Sequence, residues 1–412
     1  MFWIIRPSLF GLAAACLLAA CTAQPNQVPR KTATKPPENP HWASLLANYD
    51  RFFRDSMAAT NTPGAAVVIV RDSQVVFCKG YGLRANGQPD SVDAHTVFRV
   101  GSLSKGFASV LTAILVKEGA LHWEDPVVRY YNHFSLCDSE QTQRVKITHL
   151  LSHCSGLPYH TFTNMIEGGY DIPTIVDYFK KVKLCGKEGE LYCYQNAAYS
   201  VIEEVMRGAT GKSYQELLPL KIFQPIGMAS ASVTYDRLVN NPNKALPHNL
   251  TGAGWVDSAI SERYYNAAAA GGVNASIADM GQWLLLLNGQ KPDILTDAML
   301  DFVFQPRIRT YDERRHFGEW SKPKTAYYAL GWRVLTQGTD TLVYHGGYVN
   351  GFRGEIAIDR KNKVAICVLF NAATELSQRC IPAFFKRYRG QKPEIEAWEQ
   401  TRAVSVSGTP GR

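Results

Sequence analysis

The two ends of the chain carry apolar runs of strand length, separated by short polar breaks. Residues 42–58 repeat apolar side chains every three or four positions, which predicts an amphipathic helix. Two β-rich runs, 65–70 and 75–83, lie on either side of the polar break RDSQ, as in a hairpin. Near the other end, further strand-like runs precede a helix-like segment at 375–389. Those runs are 328–336, 340–347, 352–359 and 363–371.

The middle of the chain has a mostly helical pattern. Because strands lie at both ends, we expect an α+β fold with a central antiparallel sheet built from both chain ends and flanked by helices. The sheet part would take about residues 41–100 and 290–390, and an inserted, mainly helical subdomain about 101–289. Together they would form one domain over 41–390, followed by a flexible tail at 391–412.

The N-terminus has a different character. One early cation, Arg6, precedes an apolar stretch that ends in small residues, so residues 1–21 predict a signal peptide. Its end, LAAC, resembles the bacterial lipobox, in which the cysteine, here Cys21, becomes the acylated anchor. The alternatives are an ordinary secretory signal and a membrane-spanning helix, for which the stretch is short. The proline-rich residues 22–40 predict a disordered tether.

The residue after the cysteine bears on location. Thr22 follows the cysteine, and the absence of Asp at this position resembles the sorting pattern of outer-membrane lipoproteins in Gram-negative bacteria. We therefore expect a lipid-anchored protein of the cell envelope, held at the outer membrane and facing the periplasm. Its membrane contact would be the N-terminal lipid.

Export would also allow disulfides to persist. Without Cys16 and Cys21, seven of the nine cysteines are left, so one must stay unpaired. Cys185 and Cys193 bracket a glycine-containing turn and are the pair with a local reason to bond. Sequence spacing does not fix their separation, so this bridge is one possibility.

Composition and charge describe a globular enzyme-sized chain. Of its 412 residues, 46% are hydrophobic and 19% are charged, and the net charge is +8. The longest basic cluster is Lys386, Arg387 and Arg389, which is too small for a nucleic-acid-binding stripe. We expect no nucleic-acid partner.

The segment RVGSLSKGFASVL carries candidate chemistry at the start of a predicted helix. Ser102 and Lys105 are three residues apart and so share a helix face, which lets the amine reach the hydroxyl. Free amides at a helix N-terminus favour an oxyanion and a deprotonated lysine, and a serine needs such a base to be a good nucleophile. The buried face of the helix would be Leu103, Phe107, Val110, Leu111, Ile114 and Leu115.

Two simpler interpretations compete with this one. Ser102 could be a helix N-cap that precedes an exposed lysine. The same spacing also occurs at Ser321 and Lys324, but there Pro323 interrupts and no apolar helical stripe follows.

An acyl-transfer site also needs a proton shuttle and a strand edge for the substrate. The pattern Y-x-N occurs four times, and only Tyr194 and Asn196 stand just ahead of an amphipathic helix. The strand candidate is LVYHGGYVNGFRG, where two glycines allow close approach of a substrate backbone. The other matches begin at Tyr130, Tyr264 and Tyr348.

These motifs, in this order, resemble those of the serine β-lactamase and penicillin-binding-protein-like family, close to class C. Two further stretches are similar to family segments: HLLSHCSGLP at 149–158 and GGVNASIADMGQWLLLL at 271–287. The likeness runs from about residue 42 to 385. The three motifs are Ser102-x-x-Lys105, Tyr194-x-Asn196 and His345-Gly346-Gly347.

The resemblance implies a role for each site residue. Ser102 would be the acylated nucleophile, and Lys105 its base, alone or shared with Tyr194. Tyr194 would protonate the leaving group and help activate the deacylating water. Asn196 would hold the substrate carbonyl or a side-chain amide. The amides of Ser102 and Tyr348 would form the oxyanion hole, and the strand of the third motif would bind substrate.

The third motif departs from the usual Lys-Thr-Gly. His345 carries no full charge at neutral pH unless it is perturbed, and Gly346 has no hydroxyl, so recognition of a substrate carboxylate is weakened. We therefore expect a serine hydrolase that acts on an ester or a D-amino-acid peptide, with weak β-lactamase activity at most. Its substrate would be a small ester, a peptide or a fragment of cell wall.

Other functions fit less well. A non-hydrolytic envelope-binding member of the same family would not need the nucleophile, lysine and tyrosine that this chain keeps. His149 and His153 have the spacing of a helical zinc pair, but the glutamate of H-E-x-x-H is missing. No G-x-S-x-G motif is present. We expect neither a metal nor another cofactor.

Overall fold

The structure is a computed structural model that describes residues 39–407 except 312–319, 321–324 and 338–339. The predicted signal peptide with Cys21 lies outside the described residues, and so does the tether except its last two positions. The second Ser-x-x-Lys match, at Ser321 and Lys324, also lies outside them.

The described chain alternates short strands and helices. The strands are β1 (Gly64–Arg71), β2 (Gln74–Gly82), β3 (Val97–Arg99), β4 (His248–Thr251), β5 (Gly254–Asp257), β6 (Asn274–Ser276), β7 (Ile308–Arg309), β8 (Thr325–Tyr328), β9 (Arg333–Gln337), β10 (Asp340–Val349), β11 (Phe352–Asp359) and β12 (Val364–Phe370). The α-helices are α1 (Pro40–Ala59), α2 (Ser104–Lys117), α3 (Ser139–Arg144), α4 (Ile147–Leu151), α5 (Thr163–Glu167), α6 (Ile172–Phe179), α7 (Asn196–Thr210), α8 (Tyr214–Leu218), α9 (Gln224–Ile226), α10 (Tyr235–Val239), α11 (Ala268–Gly271), α12 (Ile277–Leu287), α13 (Asp297–Phe304) and α14 (Leu376–Ser407). Three short 3₁₀ turns and one π-helical segment complete the set: Gly101–Leu103, Val127–Arg129, Tyr265–Ala267 and Pro219–Phe223.

Eight strands form one antiparallel sheet in the order β2-β1-β12-β11-β10-β9-β8-β7. The first strand of the chain pairs with the last, with Val68 opposite Cys367. The prediction of an α+β fold whose central sheet is built from both chain ends is therefore confirmed. Most of the helices lie between β2 and β7 in the sequence, as the pattern indicated.

Both faces of the sheet are covered. Successive side chains of a strand point to opposite faces, so Val67 packs with α1 and α14 on one side while Val68 joins the large core of the helical part on the other. On the first side, Tyr49 of α1 meets Phe384 of α14 edge to face. On the second, Phe107 stacks on Trp283 with ring centroids 3.9 Å apart. This second core holds α2 against the sheet.

The C-terminal segment differs from the expectation of a flexible tail from residue 391. Instead α14 continues to Ser407, and Ile395 is buried. The side chain of Asn39 donates hydrogen bonds to the Ile395 carbonyl at 3.2 Å and to Glu399 at 3.0 Å. These contacts tie the start of α1 to the C-terminal half of α14, a long-range constraint that local composition does not show. Within the described residues, no helix is long and apolar enough to cross a membrane.

One helical glycine tests how tightly α2 packs. A Cβ at Gly106 would lie 2.3 Å from the Trp332 ring, so we expect Gly106→Ala to destabilise the fold by about 1–3 kcal/mol despite alanine's better helix propensity. Gly390 in α14 has no atoms within 4 Å of such a Cβ, so Gly390→Ala should be neutral or stabilising by up to about 1 kcal/mol. The midpoints of thermal unfolding of the two variants and the wild type measure these changes in stability. Equal midpoints would contradict the tight packing.

Candidate active site

Ser102 lies in the 3₁₀ turn Gly101–Leu103, directly before α2. Gly101 has φ +55°, and a Cβ there would lie 2.8 Å from the backbone nitrogen of Tyr348 on β10. Only glycine combines that backbone conformation with that closeness. The turn therefore presents the serine at the point where α2 meets the sheet.

Lys105 reaches Ser102 as the helical spacing predicted. Its Nζ lies 3.3 Å from Ser102 Oγ, and it donates hydrogen bonds to Asn196 Oδ1 at 2.8 Å and to the Ala270 carbonyl at 2.9 Å. A neutral amine has two N–H groups and one lone pair. The two oxygens accept both N–H groups, which leaves the lone pair for the Ser102 hydroxyl.

The environment of Lys105 favours its neutral form. The side chain is fully buried, and this burial, followed by the positive charge of Arg333, holds the pKa of the amine well below its usual range. A buried lysine with a lowered pKa can serve as a general base near neutral pH.

Tyr194 completes the immediate surroundings of the nucleophile. Its hydroxyl donates to Ser102 Oγ at 3.0 Å, and Lys105 Nζ lies 4.8 Å from the centre of its ring. The tyrosine is held by ring contacts, among them His153 with centroids 4.3 Å apart. The structure thus brings together Ser102, Lys105, Tyr194 and Asn196.

Two helices position the partners of Lys105. Asn196 is the first residue of α7, and Ala270 belongs to the short helix α11. Glu203 of α7 accepts a hydrogen bond from the Ala269 amide at 2.9 Å, which fixes α11 beside α7. Burial raises the pKa of Glu203 to about 8, so this carboxyl is neutral at pH 7.

The strand β10 packs against the serine turn with no side chain between them. A Cβ at Gly347 would lie 2.2 Å from the Val100 carbonyl and 3.1 Å from the Ser102 nitrogen. The backbone nitrogens of Ser102 and Tyr348 therefore both lie at this contact, where the predicted oxyanion hole would form. The side chain of Tyr348 is 55% exposed, next to the nucleophile turn.

His345 corrects one expectation. Although it was predicted to bind substrate, its side chain is only 1% exposed and lies inside the fold. Its Nε2 is 3.0 Å from the Tyr328 hydroxyl and 3.3 Å from Arg333, and its Nδ1 is 2.8 Å from the Gly346 carbonyl. The backbone of the third motif around Gly347 borders the site. The His345 side chain lies inside the fold, where it binds Tyr328 and Arg333.

A chain of hydrogen bonds links this histidine to His153. The Gln195 amide donates to His153 Nδ1 at 3.2 Å, so the His153 proton is on Nε2, which lies 3.2 Å from the Tyr328 hydroxyl. That hydroxyl can then donate to His345 Nε2. Burial, with Lys105 as the next cause, holds the pKa of His153 well below its usual range. The network is thus satisfied with His153 neutral.

Sequence reasoning missed Tyr328, Arg333 and Tyr264. Arg333 is nearly buried and its guanidinium carbon lies 5.5 Å from the centre of the Tyr194 ring. Tyr264 appeared only as a rejected Y-x-N match, yet it has φ +71° and its hydroxyl lies 3.5 Å from Asn196 Nδ2. A tyrosine in the left-handed region is strained, and such strain concentrates at functional sites. In the sequence, Arg333 was only one position of the strand-like run 328–336.

The histidine pair considered for zinc is otherwise engaged. The Lys146 amide donates to His149 Nδ1 at 3.2 Å, and His153 belongs to the network above. In the part of the chain that the structure describes, no group of three His, Cys, Asp or Glu side chains could hold a metal ion.

The chain is similar to known proteins over most of its length. The family model described as Beta-lactamase matches residues 49–387. The chain is 26% identical over 327 residues to "Unguisins hydrolase ungD'" of Aspergillus campestris, covering 76% of this chain and 59% of that protein. It is 24% identical over 337 residues to "Protein flp" of Staphylococcus aureus, covering 79% and 63%. The chain thus spans less than two thirds of these relatives.

A solved structure gives the same picture of the fold. The octameric penicillin-binding protein homologue from Pyrococcus abyssi superimposes with a TM-score of 0.70 at 24% identity, over 80% of this chain and 74% of that one. At that identity the superposition shows the fold alone, whereas the family model spans most of the chain. The protein belongs to the beta-lactamase family.

Proposed function

We propose that this protein is a serine hydrolase that forms an acyl-enzyme at Ser102. The observation that carries the proposal is the buried Lys105 amine, with both of its N–H groups bound to oxygens and Ser102 Oγ 3.3 Å away. Such an amine is a base aimed at one hydroxyl. The name of the relative from Aspergillus campestris, a hydrolase, supports the same class of reaction.

The reaction follows from the proton positions. Lys105 Nζ takes the proton of the Ser102 hydroxyl while Oγ attacks the substrate carbonyl, and the amides of Ser102 and Tyr348 stabilise the oxyanion. As the tetrahedral intermediate collapses, Tyr194 gives its proton to the leaving group and is reprotonated from the Lys105 ammonium. Water then attacks the acyl-enzyme as Ser102 attacked the substrate. It loses its proton to the same base, and Ser102 Oγ is now the leaving group that is reprotonated.

The substrate is an ester or a D-amino-acid peptide rather than a β-lactam. The position that bears a cationic lysine in the usual third motif is here His345, whose Nε2 accepts hydrogen bonds inside the fold. His345 itself therefore supplies no lysine-like cation for a β-lactam carboxylate. The predicted lipid at Cys21 would hold the enzyme at the cell envelope, where wall-derived peptides and esters are found.

The nucleophile can be tested without knowing the substrate. We expect a fluorophosphonate probe to label the wild-type protein, and Ser102→Ala to abolish the label and to lower ester hydrolysis by about a thousandfold or more. The matched control is Ser321→Ala, which changes the serine of the other S-x-x-K match. It should keep both the label and the ester hydrolysis. Absence of labelling in the wild type, together with absence of ester turnover, would instead support a binding protein.

The pH profile tests Lys105 as the base. Activity requires the neutral amine, so kcat/KM should rise with pH and reach its plateau well below the ordinary pKa of a lysine, since the pKa of Lys105 is lowered. Arg333→Gln removes one cause of that lowering, so the acid limb should move to higher pH. Arg309→Gln, at an exposed arginine, should leave the profile unchanged. An unshifted limb in Arg333→Gln would contradict this electrostatic role.

Substrate preference separates the two kinds of acyl donor. Because a missing ion pair with a carboxylate weakens recognition, kcat/KM for nitrophenyl acyl esters, which need no carboxylate, should exceed that for nitrocefin by about tenfold or more. Parallel initial-rate measurements at one pH provide the comparison. Faster turnover of nitrocefin would overturn the proposed substrate class.

A further inference from the structure

The segment before Tyr194 carries two cysteines in contact. Residues 185–193 run between α6 and α7, and Tyr194 follows at once. The Sγ atoms of Cys185 and Cys193 are 3.4 Å apart. Cys185 is exposed and Cys193 is half-buried, so a solvent-borne reagent can reach the pair.

Backbone hydrogen bonds already align the two residues. The Cys185 amide donates to the Gly156 carbonyl at 2.9 Å, and the Cys193 amide donates to the His153 carbonyl at 2.9 Å. Between them, the Gly189 amide donates to the Cys154 carbonyl at 2.8 Å. Both cysteines are therefore fixed on the same neighbouring segment, with their sulfurs 3.4 Å apart against a disulfide bond length of about 2 Å.

We propose that Cys185 and Cys193 form a disulfide that fixes the segment leading into Tyr194. The bond forms by thiol–disulfide exchange with a protein or small-molecule disulfide. One thiolate attacks the oxidant and releases one of its sulfurs as a thiol, and the second thiolate displaces the other. The pair loses two electrons and two protons, and the oxidant gains them as two thiols.

The bridge has a consequence for the site, which rests on the proposed function. The segment 185–193 contains no helix or strand, and the three backbone hydrogen bonds described above hold it to its neighbour. The Tyr194 hydroxyl must stay 3.0 Å from Ser102 Oγ, and its ring must stay on His153. A covalent bond one residue before Tyr194 limits how far that hydroxyl can move. Reduction should therefore loosen Tyr194 without unfolding the protein.

Peptide mapping tests the bond itself. The purified full-length chain is treated with oxidised glutathione, alkylated and digested with trypsin. Lys187 lies between the cysteines, so the bridge would join the peptides that begin at Leu184 and Glu188, about 2 Da lighter than their sum. Cys185→Ser should abolish the joined pair, and Cys78→Ser, at another exposed thiol, should keep it. Alkylation of both thiols, or a link from Cys193 to Cys154, would overturn the proposal.

The rate of fluorophosphonate labelling at Ser102 tests the effect on the site. Reduction should slow labelling of the wild type by about threefold or more, reoxidation should restore it, and Cys185→Ser should behave like the reduced protein in either state. Equal rates in the oxidised and reduced wild type would contradict the hold on Tyr194. If no labelling occurs at all, the proposed function fails, while the peptide map still decides whether the bond exists.

Discussion

The site depends on how the structure accommodates one buried amine. Lys105 is on the first turn of a helix whose residues 104–115 are all buried, and an ammonium group in such a place is strongly disfavoured unless it is paired. In the structure the amine instead has two neutral oxygen acceptors, from Asn196 and Ala270. Those acceptors belong to α7 and α11, so the active geometry exists only once these helices have packed against α2.

The sheet supplies the other half of the site through small residues. Gly101 and Gly347 let β10 approach the serine turn until backbone touches backbone, and Gly106 lets α2 rest on Trp332. These contacts join two parts of the chain more than two hundred residues apart. The β1–β12 pairing joins strands from the two ends of the chain within one open sheet, so its central strands have neighbours on both sides. Rigid backbone on both sides of Ser102 makes preorganised amides possible there.

The sequence predicted what is encoded locally. Helical spacing brings Lys105 to Ser102, and alternating apolar runs marked the strands at both ends. The positions of the His345 and Arg333 side chains could not be predicted, because a period of two says that alternate residues share a face but not which face borders the site. The structure pairs Arg333 with Tyr344 on one side and with Tyr328 on the other, a register that depends on three strands. Helix α14 past residue 391 likewise depends on contacts with Asn39, 356 residues away from Ile395.

The buried carboxyl of Glu203 extends the same principle to α11, which carries the Ala270 carbonyl bound by Lys105. Its pKa is raised to about 8, above its value in the unfolded chain, so between those two values the folded state binds more protons than the unfolded state. Folding stability from this group therefore falls as pH rises. The neutral carboxyl still accepts a hydrogen bond from the Ala269 amide, next to the Ala270 carbonyl that binds Lys105. A protonated glutamate thus holds α11, and with it the Ala270 carbonyl, in place for the Lys105 amine.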